Sequence, residues 1–194
     1  MPAKASGHDL IVGGSGMLVA LCKQLAAHGR IVSVVGRNRS RLQDLVDQAG
    51  FGAGRINPLA LDYRDANGFA RSLKTTSDAW GPFERVVCWV HEETAPLALM
   101  QAGACAQGPF WHLLGSATAD PAEPSALMRW QVRFREALPT LDYRQVVLGF
   151  IAGRAGESSR WLTDSEICGG VYAAMTSPNA LAIVGAVEPW SARP

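Results

Sequence analysis

Two short segments carry residue types whose spacing could hold a phosphorylated ligand. The first is Gly13-Gly14-Ser15-Gly16, which follows the apolar run Leu10-Ile11-Val12 and precedes a segment whose apolar residues recur at helical spacing. Glycines there free the turn's dihedrals and let a pyrophosphate approach the backbone, while a helix starting after Gly16 aims free N–H groups and its positive dipole end at the same point. A third glycine, three residues on, would set close helix–strand packing, and Val19 stands in its place. An ordinary tight turn between strand and helix accounts for the same four residues.

The second segment, Gly36-Arg37-Asn38-Arg39, ends the next apolar run, where an adenosine ribose would lie if the first loop held its pyrophosphate. An acid at this point accepts from a ribose 2′-hydroxyl and favours NAD; an arginine suits the 2′-phosphate of NADP(H). Arg37 is the expected contact, with Asn38 and Arg39 beside it. The alternative is a solvated basic helix entrance, with Arg37, Arg39 and Arg41 paired to acids such as Asp44.

The elements that must position these residues alternate regularly. Strands are expected near Asp9–Val12, Ile31–Val35, Ile56–Leu61, Arg85–Val90, Phe110–Leu114, Gln145–Ile151 and Leu181–Val184. Helices are expected over Met17–His28, Arg39–Gln48, Ala66–Ser77, much of Ala95–Gln107, Ala122–Leu138 and Asp164–Met175. Such alternation predicts one α/β domain over residues 1–194: a three-layer, doubly wound, mostly parallel Rossmann-like sheet of six or seven strands. A closed eight-stranded barrel would need another strand–helix unit.

Ligands of open α/β sheets sit beyond the carboxyl ends of the strands. That rule selects Val90 and His91 after the fourth strand, Ser116 after the fifth, and Phe150 and Ile151 at the sixth. His91 could exchange a proton near neutral pH, or it caps the next helix or pairs with Glu92. Ser116 could hydrogen-bond a substrate, or it only begins the turn into Thr118-Ala119-Asp120-Pro121. His112 lies deeper in its strand and reads as a satisfied core histidine. Tyr143 begins the sixth strand, at the opposite edge, and reads as structural.

Composition narrows the ligand. Eighteen basic residues against 17 acidic leave no broad electropositive footprint, so a small-molecule substrate is expected rather than nucleic acid. Cys22, Cys88, Cys105 and Cys168 form no C-x-x-C pair, so no metal site is expected and each should pack as a small apolar group in a reducing compartment. Thr94–Ala119 carries no formal charge, but its prolines and glycines divide it into a helix and a strand, and no membrane span is expected. The polar first residues lack a secretory apolar run, which points to the cytoplasm. The six tryptophans read as core or interface anchors.

Together, Val12-Gly-Gly-Ser-Gly-Met-Leu18, Gly36-Arg37-Asn38, Asp62 after the third strand and Ser116 after the fifth resemble the short-chain dehydrogenase/reductase family across nearly the whole chain. The segment Arg160-Trp-Leu-Thr163 before a helix, and Gly185 after the last strand, are similar to that family's C-terminal end. The resemblance implies that Gly13, Ser15, Gly16, Met17 and Leu18 line the cofactor loop, that Asp62 contacts adenine with Tyr63 beside it, and that the chain forms a homo-oligomer through the helices flanking strand five.

It also exposes a departure. Carbonyl-reducing members use a Tyr and a Lys four residues later, and Lys4, Lys23 and Lys74 are the chain's only lysines, all before the fourth strand. The expectation is therefore an NADP(H)-dependent reductase taking its proton from His91, Ser116 or water, suited to an imine-like or conjugated substrate, or else a cofactor-binding sensor or partner subunit without turnover. The polar loop 152–161 replaces the family's substrate lid.

Overall fold

In the computed structural model, residues 7–50, 54–91, 96–153 and 157–194 are described. The chain alternates strand and helix as β1 (His8–Val12), α1 (Val19–Ala27), β2 (Ile31–Gly36), α2 (Arg39–Ala49), β3 (Arg55–Ala60), α3 (Ala66–Trp80), β4 (Arg85–Cys88), α4 (Pro96–Ala104), β5 (Phe110–Gly115), α5 (Ala126–Ala137) and β6 (Tyr143–Leu148). It continues with the short strands β7 (Phe150–Ile151) and β8 (Arg160–Trp161), then α6 (Asp164–Thr176) and β9 (Leu181–Val184).

Seven strands form one parallel sheet in the order β3-β2-β1-β4-β5-β6-β9, while β7 and β8 pair antiparallel beside it. The expected doubly wound fold is therefore present. Its strand order reverses between β1 and β4, which opens a crevice at their carboxyl ends.

Side chains of a strand alternate between faces, and two apolar clusters follow from that period. Ile11, Val34, Val87, Leu113 and Val146 pack with Leu21, Leu42 and Val171 from α1, α2 and α6. Leu10, Val12, Val35, Val86 and Leu114 pack on the other face with Phe69, Leu99 and Trp130 from α3, α4 and α5. Both faces being covered explains why these strands read as continuous apolar runs.

Several helix starts are set by local chemistry. Asn38 Oδ1 accepts from the Arg41 N–H at 3.1 Å and caps α2, and Asp65 Oδ1 accepts from the Gly68 N–H at 3.0 Å and caps α3. Thr163 and Glu166 form a capping box on α6, reinforced by Arg160, whose two terminal nitrogens each meet Glu166 at 2.8 Å. Arg160 and the Thr163 N–H and hydroxyl lower the Glu166 pKa to about 2.

Among the boundaries that differ from the sequence expectation, three bear on the site. Strand β6 ends at Leu148, because Gly149 lies against the Ala186 backbone and Phe150 then exchanges both backbone hydrogen bonds with Ala186 at 2.9 and 2.8 Å. Strand β4 ends at Cys88, leaving Trp89-Val90-His91 as the segment beyond it. The helix after β5 begins at Ala126 rather than Ala122, with Ser116–Ala119 forming a separate 3-10 turn. In the polar loop 152–161, residues 154–156 lie outside the described residues, and its last two form β8.

The uncharged stretch resolves into α4 and β5, as expected, and no helix among the described residues is long and apolar enough to cross a membrane. Cys22, Cys88 and Cys168 are buried and unbridged, and burial pushes their thiols up, consistent with a packing role. Among the described residues no cluster of His, Cys, Asp or Glu could hold a metal ion.

Candidate functional site

The Gly13–Gly16 turn sits at the point where the strand order reverses. Gly13 donates to the Val35 carbonyl at 3.0 Å, and its φ of 81° lies in the left-handed region that favours glycine. A Cβ there would strike the Trp89 carbonyl oxygen, because Trp89 donates back to Val12 at 2.9 Å and draws the end of β4 against the turn. A Cβ on Gly14 would meet Ile11 and Val34 in the core.

Gly16 differs. A Cβ built there meets nothing within 4 Å, so this face of the turn opens onto empty space at the head of α1. The turn is thus packed on its sheet side and vacant on its outer side, which fits a group approaching the backbone. Ser15 packs on Gly36 at the neighbouring strand end, Leu18 is fully buried beneath α1, and Met17 faces the adjoining cavity. Cys168 Sγ donates to the Met17 carbonyl at 3.0 Å and ties α6 to the turn.

At the end of β2, Arg37 and Arg39 are exposed, and no carboxylate pairs with Arg37, Arg39 or Arg41 among the described residues. The arrangement in which Asp44 neutralises this entrance is therefore not realised. Leu61 donates to the Gly36 carbonyl at 3.0 Å, which sets Asp62 and Tyr63 next to Arg37. Asp62 is held by Arg64, whose Nε lies 3.0 Å from Oδ1 and whose terminal nitrogen lies 2.6 Å from Oδ2. Hydrogen bonds from the Arg64 side chain and backbone lower its pKa to about 2, with the charge of Arg37 contributing.

Arg64 escaped the sequence reading, although its i, i+2 spacing from Asp62 was visible. Asn38, expected at the cofactor, uses its side-chain oxygen to cap α2 and to accept from Ser40 at 2.7 Å. Tyr63 is half-buried against the α3–α4 layer.

A cavity of about 280 Å³ lies beyond the ends of β4, β5 and β6. Met17, Trp89, Leu148 and Leu162 supply apolar walls, and Ser116 and Arg193 supply polar groups. Ser116 is 5% exposed, and its Oγ accepts from Arg193 Nε at 3.0 Å. The Arg193 guanidinium lies over Trp161 and Trp190, at 5.1 and 5.0 Å from the two ring centroids. Each such contact contributes about 0.5–1 kcal/mol at an exposed position.

The cavity separates the expected residues. Ser116 lines it, whereas His91 is exposed and outside it, its ring packing edgewise on Trp89 at 5.7 Å; Glu92 lies outside the described residues. Val90 is 6% exposed and faces the α3–α4 layer. Phe150 is fully buried, because β6 stops earlier than expected; Leu148 and Gly149 occupy the position assigned to Phe150 and Ile151. The tryptophans divide as well: Trp111 and Trp130 are core residues, and Trp89, Trp161 and Trp190 gather at the cleft.

Tyr143 and His112 behave as read. The Tyr143 hydroxyl lies 2.9 Å from His112 Nδ1 at the amino end of β6, away from the cleft, and burial lowers the His112 pKa to about 3.

No protein-family model matches the chain, and no curated protein matches it. Solved structures do. A short-chain dehydrogenase/reductase of the glucose/ribitol dehydrogenase type from Brucella melitensis superposes with a TM-score of 0.72 at 15% identity, covering 95% of this chain and 97% of that one. One from Mycobacterium ulcerans gives 0.70 at 16% identity, over 93% and 88%. An alcohol dehydrogenase from the archaeon Thermococcus sibiricus, complexed with 5-hydroxy-NADP, gives 0.68 at 16% identity, over 92% and 96%. By strand order, layering and these superpositions, the chain has the short-chain dehydrogenase/reductase fold.

Proposed function

We propose that the protein is an NADP(H)-dependent oxidoreductase that acts on a small molecule held between the ends of β1, β4, β5 and β6. The observation that carries this reading is one line of available groups at one sheet edge: the open face of Gly16, Arg37 with no carboxylate in salt-bridge contact among the described residues, and the cavity at Ser116. Gly13 to Leu18 would hold the pyrophosphate, and Arg37, with Arg39 and Arg64 nearby, would meet the 2′-phosphate. Charge-assisted hydrogen bonds of this kind contribute about 1.5–3 kcal/mol each, roughly tenfold to a hundredfold in preference for NADPH over NADH.

A bound nicotinamide supplies hydride chemistry. The chain's own residues orient the substrate and exclude water, with Met17, Trp89 and Leu148 as walls and Ser116 as the hydrogen-bonding group within reach. Without a Tyr-x-x-x-Lys pair, a positioned general acid is forgone at a cost of about 10²–10⁴ in rate. That loss matters least for an imine-like or conjugated substrate. His91, outside the cavity, would act only through water.

The same missing pair favours a second reading, a cofactor-binding sensor or partner subunit without turnover. Single-turnover consumption of NADPH against a panel of cyclic imines, enones and ketones separates the two. Turnover with an imine that Ser116→Ala slows supports the enzyme; cofactor binding with no turnover across the panel supports the sensor. Exposed Leu97 and Met128, on α4 and α5, suit the homo-oligomer read from the sequence, and light scattering of Met128→Glu against the parent tests it.

A further inference from the structure

Among the described residues, Arg193 is the one cation lining the cavity, and most of its hydrogen-bonding capacity is unspent. Its Nε donates to Ser116, while its terminal nitrogens have no hydrogen-bond or ion-pair partner among the described residues. Trp161 and Trp190 flank the guanidinium carbon at 5.1 and 5.0 Å from their ring centroids and take no hydrogen bond from its terminal nitrogens. A guanidinium fork in that state matches the two oxygens of a carboxylate, and the tryptophans fix it without neutralising its charge.

Ser116 is set by the same contact. Its oxygen already accepts from Arg193, and its hydroxyl hydrogen has no acceptor among the described residues, so the group can donate into the cavity. A cation beside the cavity also disfavours a substrate that is purely cationic, whereas a carboxylate on the same molecule restores neutrality. The cavity, about 280 Å³, falls just under the usual range for small-molecule sites and limits the ligand's size.

We propose that Arg193 is a substrate-binding residue whose terminal nitrogens take the carboxylate of a small organic acid, with the Ser116 hydroxyl donating to the acid's unsaturated nitrogen, oxygen or neighbouring group. This rests on the oxidoreductase reading for the reaction, not for the binding, so the two are tested apart.

The experiment is calorimetric titration of the protein with pyrrole-2-carboxylate and with its neutral isostere pyrrole-2-carboxamide, with and without saturating NADP⁺, in the parent, Arg193→Gln and Arg193→Lys. The expected result is a preference for the carboxylate of roughly tenfold or more, lost in Arg193→Gln and partly kept in Arg193→Lys, with NADPH affinity unchanged in both variants. Equal affinity for acid and amide, no binding of the acid, or a preference that survives Arg193→Gln overturns the assignment. Failure of NADPH to bind, with the carboxylate preference intact in cofactor-free protein, overturns the oxidoreductase reading and leaves Arg193 as an anion site.

Discussion

The two edges of the parallel sheet handle the same residue types in opposite ways. At the amino edge, Asp9 is fully buried between two arginine forks: Arg30 reaches it at 2.6 and 3.1 Å, and Arg85 at 2.6 and 2.8 Å. His8 Nδ1 donates to the Gly81 carbonyl at 2.7 Å, its Nε2 meets the Ser33 hydroxyl at 2.7 Å, and Asn57 donates to that hydroxyl at 2.9 Å. At the carboxyl edge, Arg37, Arg39 and Arg193 have no carboxylate in salt-bridge contact among the described residues, and Gly16 faces empty space. Saturated polar groups hold a fold together. Unsaturated ones, gathered along the edge where open α/β sheets bind ligands, are available for something else.

Breaking each edge should therefore have a different consequence. Asp9→Ala strands two arginine charges in a half-buried site and should cost about 3–5 kcal/mol in urea unfolding, with the NADPH affinity of the folded protein unchanged. A matching loss of NADPH affinity would merge the two edges into one functional region. Gly16→Val should do the reverse: stability within about 0.5 kcal/mol of the parent, because a Cβ there meets nothing, and NADPH affinity down by roughly a hundredfold. If Gly16→Val binds cofactor as the parent does, the open face of the turn is not the pyrophosphate site.

Arg37→Ala should weaken NADPH by about tenfold to a hundredfold while leaving NADH and the melting temperature unmoved. Loss of both cofactors equally would make Arg37 a general electrostatic contributor rather than the reader of the 2′-phosphate.

The interior between the edges predicts a pH dependence. His112 is neutral in the folded protein with a pKa of about 3, against 6.5 for an ordinary histidine, so as pH falls below 6.5 the unfolded chain takes up the proton and the folded one does not. Stability should therefore fall with acid across that window, by about 2 kcal/mol between roughly pH 7 and pH 5 from this residue. Replacing it with glutamine should flatten that part of the profile, as read by denaturant unfolding at each pH; an unchanged slope would assign the acid sensitivity to other groups.

Much of this organisation was legible because it is local. Strand–helix alternation, the glycine turn and the basic end of β2 depend on residues close in sequence, and each fell where the periodicity put it. The errors came from long-range contacts. The end of β6 is set by Phe150 exchanging backbone hydrogen bonds with Ala186, against which Gly149 packs closely, and no strand propensity reveals it. The cleft's polar pair, Ser116 and Arg193, is separated by 77 residues, and Arg193 is positioned by Trp161 of β8 and by Trp190, three residues before it on the same turn. Only the Trp190–Arg193 spacing was visible in the chain. His91 follows the expected strand end, but β4 terminates at Cys88, so Trp89 rather than His91 lines the cavity.

The most direct measurement is a parallel titration of the protein with NADPH and NADH, followed by tryptophan fluorescence, which Trp89 at the cleft wall should report, and confirmed by calorimetry. Saturable binding of NADPH is expected, tighter than NADH by roughly tenfold or more, with that preference abolished in Arg37→Ala. Binding of neither cofactor would contradict the oxidoreductase reading, leaving a Rossmann-like scaffold whose open edge serves another ligand.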